Sequence, residues 1–218
     1  MNPRRLLALC LTVACGALLT GCSSGGMSEP GNPGGAIIDS SADPSGLRGA
    51  VLAQPYRMPH VTLTATDGSA FHLVSDTTSP VTLVFFGYTN CPDVCGLVMA
   101  DIATAVSRLD PSVAADVQML FITTDPARDT RPVLRSYLDH FNPDFQGLTG
   151  PMHEIRTVAN ALGVPVEGIQ RLPDGGYEVG HGSQIVGIDS HDEAPVVWTE
   201  GTPVSDLEHD ITVLDQQS

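Results

Sequence analysis

The chain has 218 residues, with 25 acidic side chains against 10 basic ones and a formal net charge of −15. Every basic residue is arginine; lysine is absent. Phosphates would be repelled by this balance, which argues against nucleic acid or an anionic membrane surface as a partner and suits a basic protein, a cation or simple solubility.

Arg4 and Arg5 supply a short basic start, followed by apolar and small residues from Leu6 to Thr20. That run has the length of a signal-peptide core and is short for a membrane span. It ends in Leu19-Thr20-Gly21-Cys22, which resembles the bacterial lipobox, where cleavage precedes a lipid-modified cysteine. Residues 1–21 are therefore expected to be a lipoprotein signal peptide that takes Cys10 and Cys15 with it, and Cys22 the lipid attachment site. Residues 22–48, rich in Gly, Ser, Pro and Asp, read as a flexible tether with a reach of about 25–30 Å. Residues 49–218 are expected to fold as one domain, lipid-anchored on the extracytoplasmic face of a bacterial cell membrane.

Within the domain, Val61 to Ala65 and Ala70 to Val74 alternate apolar and polar residues around Thr66-Asp67-Gly68-Ser69, the pattern of a hairpin. Val81 to Phe86 is almost continuously apolar, as in a strand buried on both faces. From Pro92 the apolar spacing changes to three and four, predicting a helix over 92–109. Val117 to Ile122 reads as a second buried strand, and Thr130 to Phe141 and Met152 to Leu162 as helices. Short strands are expected at Tyr177 to Val179, Gln184 to Ile188 and Val196 to Trp198, with a last helix after Pro203. Strands and helices in this order describe an α/β sandwich, and two cysteines opening the first main helix point to a thioredoxin-like fold.

Cys91 is expected at or beside the N-cap of that helix and Cys95 one turn inside it, so that their sulfurs converge and the helix N-terminus favours thiolate. Thiolates serve disulfide exchange and soft-metal binding alike, so the spacing leaves both open. A structural disulfide would close a tiny loop and stabilise little. Zinc usually takes four ligands from recurring Cys/His pairs, which this sequence lacks, whereas Cu(I) prefers thiolates and accepts imidazole. Of the histidines, His60, His72, His140, His153, His191 and His209 read as surface residues. His181 differs, lying in a Gly-flanked turn before the strand at 184–188. Ordinary thioredoxin-like oxidoreductases carry a cis-proline at that place, and here no proline occurs between Pro173 and Pro195.

Phe85-Phe86-Gly87-Tyr88-Thr89-Asn90-Cys91-Pro92-Asp93-Val94-Cys95 closely resembles the signature of the Sco/SenC copper-chaperone family. Thr124-Asp125-Pro126-Ala127-Arg128-Asp129-Thr130 is similar to that family's D-P-x-R-D-T stretch, and His181 falls where the family has its copper-binding histidine. The resemblance, spanning about Pro59 to Leu214, implies a thioredoxin-like domain with a β-hairpin insertion and copper, as Cu(I) or Cu(II), on Cys91, Cys95 and His181. It implies a metallochaperone more than an enzyme. The implied function is copper delivery to the binuclear copper centre of cytochrome c oxidase subunit II, with a copper donor and a thioredoxin-like reductant as further partners. The alternative it leaves is a thiol–disulfide reductase in which Cys91 and Cys95 are catalytic and keep the partner's cysteines reduced. Asp93 carries over as a neighbour that caps or orients the helix start. Asp125, Arg128 and Asp129 are read as an internal salt bridge supporting their loop. Where family members often have His and Pro, this chain has Asn90 and Gly96. Its Gly180-His181-Gly182 replaces Asp-His-Ser, removing an acid and a hydroxyl that would support the imidazole.

Overall fold

The computed structural model describes residues 45–173 and 175–218. The expected signal peptide, Cys22 and the tether up to residue 44 lie outside the described residues. Residues 45–48, assigned to the tether by composition, are seated on the domain: Leu47 packs against the core and the Arg48 amide donates to Asp210.

An eight-stranded mixed sheet forms the centre, in the order β1-β10-β9-β4-β5-β6-β2-β3. Its strands are β1 (Ala50–Arg57), β2 (Thr62–Ala65), β3 (Ala70–His72), β4 (Val81–Gly87), β5 (Val117–Thr123), β6 (Gln146–Thr149), β9 (Ile185–Ile188) and β10 (Glu193–Trp198). Strands β7 (Val166–Arg171) and β8 (Tyr177–His181) pair separately as a hairpin. The helices are α1 (Cys95–Arg108), α2 (Pro111–Ala115), α3 (Arg131–Asp139), α4 (Met152–Ala161) and α5 (Val204–Gln217).

Strand β4 explains the architecture. It runs parallel to β5 and antiparallel to β9, and all seven of its residues are buried. Leu83 and Phe85 face a cluster completed by α1, α3 and α5. Val84 and Phe86 face the opposite cluster, which α4 and the β2–β3 hairpin cover. A strand covered on both sides has no polar face, hence its unbroken apolar run; each such side chain contributes about 1.5–3 kcal/mol through burial. The α/β, thioredoxin-like expectation with an inserted hairpin is met by this arrangement.

The structure adds elements that periodicity did not reveal. Pro55 interrupts β1, which is tolerated because β1 is a sheet edge with an irregular register between Val51 and Tyr56. In β7, Val-Glu-Gly-Ile-Gln-Arg, five of the six residues are exposed, leaving no apolar alternation to read. Helix α2 is a single turn capped by Asp110, whose carboxylate accepts from the Ser112 amide at 3.0 Å.

Helix α1 begins at Cys95, not at Pro92. Pro92 and Asp93 are exposed and bring nothing apolar to the core, whereas Cys95, Val98, Met99 and Ile102 do. Asp93 does not cap the helix: the N-cap is Val94, with no side-chain cap bond. Gly96 lies in the first turn with ordinary φ, and beyond its own helical turn no atom lies within 4 Å of where a Cβ would sit. Gly96→Ala is therefore expected to raise stability by about 0.5–1 kcal/mol, read from the urea midpoint. A lower midpoint would contradict this.

Candidate metal centre

Parallel strands β4 and β5 end level, with Gly87 opposite Thr123. Ligand-binding groups in open α/β sheets gather beyond such carboxyl ends. The loop from Tyr88 to Val94 emerges here and is fixed by the fully buried Asp129. That carboxylate accepts from the Thr89 amide at 3.0 Å, the Thr89 hydroxyl at 2.6 Å and the Thr123 hydroxyl at 2.6 Å. The Cys91 amide then closes a turn on the Tyr88 carbonyl at 3.1 Å. The cysteine loop is thus tied to β5 before α1 begins.

Cys91 therefore sits in the loop, not on the helix face that the spacing suggests, and curls back towards Cys95. One donor atom each from Cys91, Cys95 and His181 lie within 4.8 Å of one another. Among the described residues, no other group of three or more His, Cys, Asp or Glu side chains gathers in this way. Cys95 is fully buried, while Cys91 and His181 are half-buried, so the group has one open side. Both cysteines are free thiols.

His181 is the last residue of β8 rather than part of a mobile turn. Neither Gly180 nor Gly182 has positive φ. A Cβ on Gly182 would fall 3.0 Å from Pro165 Cδ, and one on Gly180 would fall 2.7 Å from Glu167 Oε2, so glycine serves close approach here. The Gly182 amide donates to the Pro165 carbonyl at 2.9 Å. Its own carbonyl accepts from His181 Nδ1 at 2.9 Å. This makes Nδ1 a donor and leaves Nε2 facing the thiols, with Cys95 Sγ 3.4 Å away. The expected loss of support for the imidazole is corrected: a backbone carbonyl does what an acidic neighbour would do.

The two thiols differ sharply. The hydrogen bond from the Cys95 thiol holds the Cys91 pKa down to about 3, with help from His181 and the Asp93 and Cys95 amides, against the opposing effect of burial. The same bond, with burial, pushes the Cys95 pKa up. One negative charge is therefore shared across the pair and resides on Cys91. At pH 5 an ordinary thiol would be ionised to about one part in a thousand or less. Iodoacetamide at pH 5 is expected to label Cys91 and spare buried Cys95, as peptide mass spectrometry would read. A labelling rate that rises only towards pH 8–9 would refute this.

Around these three side chains stands a polar and aromatic frame. His181 is met edge-on by two rings, that of Tyr88 at 5.7 Å and that of Phe85 at 6.4 Å. Asp125 pairs with Arg128 as expected and also accepts from the Tyr177 hydroxyl at 3.0 Å. Asp129 takes no part in that ion pair; it anchors Thr89. Thr89, Thr123, Tyr88 and Tyr177 were not legible as site residues, because their roles depend on contacts between distant segments. Of the other histidines, His72 bonds to Thr62, His140 to the Ser136 carbonyl and His191 to the Ser190 hydroxyl, while His209 reaches the distant Gly46 carbonyl.

Two sulfurs and one imidazole make a soft donor set of low coordination, which fits Cu(I) and falls one ligand short of a closed zinc site. The family description SCO1/SenC matches residues 53–214. The mitochondrial SCO1 homologue 1 of Arabidopsis thaliana is 34% identical over 109 residues, covering 46% of this chain and 33% of that one. An SCO2-like protein of Rickettsia felis is 40% identical over 84 residues, covering 38% of this chain and 40% of that one. The matched stretches thus span less than half the length of these curated relatives. Among solved structures, copper-bound ScoI of Arabidopsis thaliana superposes with a TM-score of 0.66 at 26% identity, over 75% of this chain and 98% of that one. Copper-bound ScoI of Bradyrhizobium japonicum gives 0.62 at 28% identity, over 72% of this chain and 96% of that one.

Proposed function

This chain belongs to the SCO1/SenC family, and we propose that it carries copper on Cys91, Cys95 and His181 and delivers it to the binuclear copper centre of cytochrome c oxidase subunit II. The observation carrying this reading is the convergence of those three donors within 4.8 Å at a half-open site. Cys91 already holds its charge, so Cu(I) entering displaces the one remaining proton, that of Cys95. The exposed side of Cys91 leaves room for an acceptor ligand to share the ion before taking it.

No helix among the described residues is long and apolar enough to cross a membrane. Anchoring through Cys22 would place the carrier on the extracytoplasmic face, beside a partner rooted in the same membrane. A copper donor upstream and a thioredoxin-like reductant for the thiols belong to the same proposal. The test mixes copper-loaded chain with the copper-free soluble domain of subunit II. Copper is expected to move to the acceptor, read as the metal content of the two proteins after separation; copper that stays on the donor overturns delivery.

The second reading, a thiol–disulfide reductase, is favoured by one feature: the bond between the thiols lowers the pKa of the more accessible cysteine and raises that of the buried one. Cys91 would attack a partner disulfide and release one partner thiolate. Cys95 would then attack the Cys91 sulfur, releasing the second and leaving a Cys91–Cys95 disulfide for an external thiol to reduce. His181→Ala separates the readings. It should cripple copper delivery and spare disulfide reduction.

A further inference from the structure

His181 stands at the end of a strand that the main sheet does not hold, since β8 pairs only with β7. Something else must fix where its ring lies. Arg128, in the loop after β5, lies across two aromatic faces, 3.7 Å from the Tyr177 ring centre and 5.5 Å from that of Tyr88. Tyr177 is the first residue of β8 and His181 the last. Tyr88 borders the same strand: its ring meets the His181 ring edge-on at 5.7 Å. Arg128 is itself tethered, because its Nε donates to Asp125, the acceptor of the Tyr177 hydroxyl. Its Nη2 is buried without a hydrogen-bond partner, so ring faces hold that end of the guanidinium.

We propose that Arg128 is a positioning residue for His181, acting as a planar bracket between Tyr177 and Tyr88 that clamps β8 over the thiol pair. The inference rests on the reading of Cys91, Cys95 and His181 as copper ligands. A guanidinium can bridge two rings and a carboxylate at once because it is flat and forked; an ammonium cannot do so. The charge alone is therefore insufficient, and the bracket fails if either ring or the planar group is removed.

The test uses the full chain and its Arg128→Gln, Arg128→Lys, Tyr177→Leu and Tyr177→Phe variants. Imidazole 15N shifts of the reduced, copper-free protein report the His181 tautomer, competition with a chromophoric chelator gives the Cu(I) Kd, and thermal melts control for folding. In the wild type the Nδ1–H tautomer is expected to dominate. Arg128→Gln, Arg128→Lys and Tyr177→Leu should mix the tautomers and weaken Cu(I) binding about 10- to 100-fold. Tyr177→Phe keeps the ring face and should stay close to wild type. Wild-type tautomer and Kd in Arg128→Gln, or full rescue by Arg128→Lys, would overturn the proposal. Should Arg128→Gln fail to fold, the pair of Tyr177 variants decides in the same way. A wild type that binds no Cu(I) defeats the copper reading instead, while the tautomer measurement still judges the bracket.

Discussion

Cys91→Ser is expected to fold normally and to lose copper affinity by on the order of 100-fold or more, beyond the 10–100-fold usual for outer-shell changes. The folding half follows from position. Cys91 is half-buried in a loop whose path is fixed by Asp129 and by the turn from its own backbone amide, neither of which needs the sulfur. The affinity half follows from chemistry. Serine removes the group that carries the site's negative charge at neutral pH, and a hydroxyl is a hard, protonated donor that Cu(I) does not favour. It also removes the acceptor of the Cys95 proton, so the Cys95 thiol should titrate closer to the ordinary cysteine range. The check is a Cu(I) competition titration beside a thermal melt. Retained affinity would mean that Cys91 is not a ligand; a collapsed melt would mean that the loop depends on the sulfur after all.

The largest loss of stability is expected at Asp210, far along the chain from the site. This carboxylate is fully buried on α5 and accepts from the Arg48 amide at 2.8 Å, the Gly49 amide at 2.7 Å and the Trp198 indole at 2.8 Å. It joins the entry of the domain to its last strand and last helix. Asp210→Ala leaves three donors without an acceptor, the Trp198 indole fully buried and the two amides partly so; each costs up to about 1–3 kcal/mol, and entry of water at the amides brings the total to about 3–5 kcal/mol. With an m-value of about 2 kcal/mol/M the urea midpoint should fall by about 2 M. Asp210→Asn keeps one oxygen and should lose about half as much. A midpoint shift below about 0.5 M for the alanine variant would show that these bonds are replaceable.

Both residues bear on how far the fold could be read in advance. The run from Val81 to Phe86 was legible because burial on both faces leaves an apolar signature that local spacing cannot hide. The helices from Arg131 and Met152 were legible through their period. The start of α1 was not, since Pro92 suits a first helical turn, yet no apolar residue of that turn had anything to bury. Strand β7 escaped for the opposite reason: five of its six residues are exposed, Ile169 among them, so no buried alternation marks it. At the site, the cysteines and His181 were visible as chemistry. The Gly182 carbonyl was not, because a backbone acceptor has no side-chain code. Asp125 and Arg128 were visible as a local ion pair, but Tyr177 lies 52 residues from Asp125, and only the folded chain brings it there. Asp129 was placed in that ion pair by proximity in sequence, whereas its donors are the Thr89 amide and the hydroxyls of Thr89 and Thr123.

The claim that Cys91, Cys95 and His181 form one three-ligand copper site is tested most directly by anaerobic copper loading of wild type and His181→Ala side by side, with X-ray absorption to identify the donors. The account predicts one copper per reduced wild-type chain held by two sulfurs and one imidazole nitrogen, and loss of the imidazole signal with weakened binding in the variant. Equal affinity and an unchanged nitrogen donor in His181→Ala, or no copper on the reduced wild type, would contradict it.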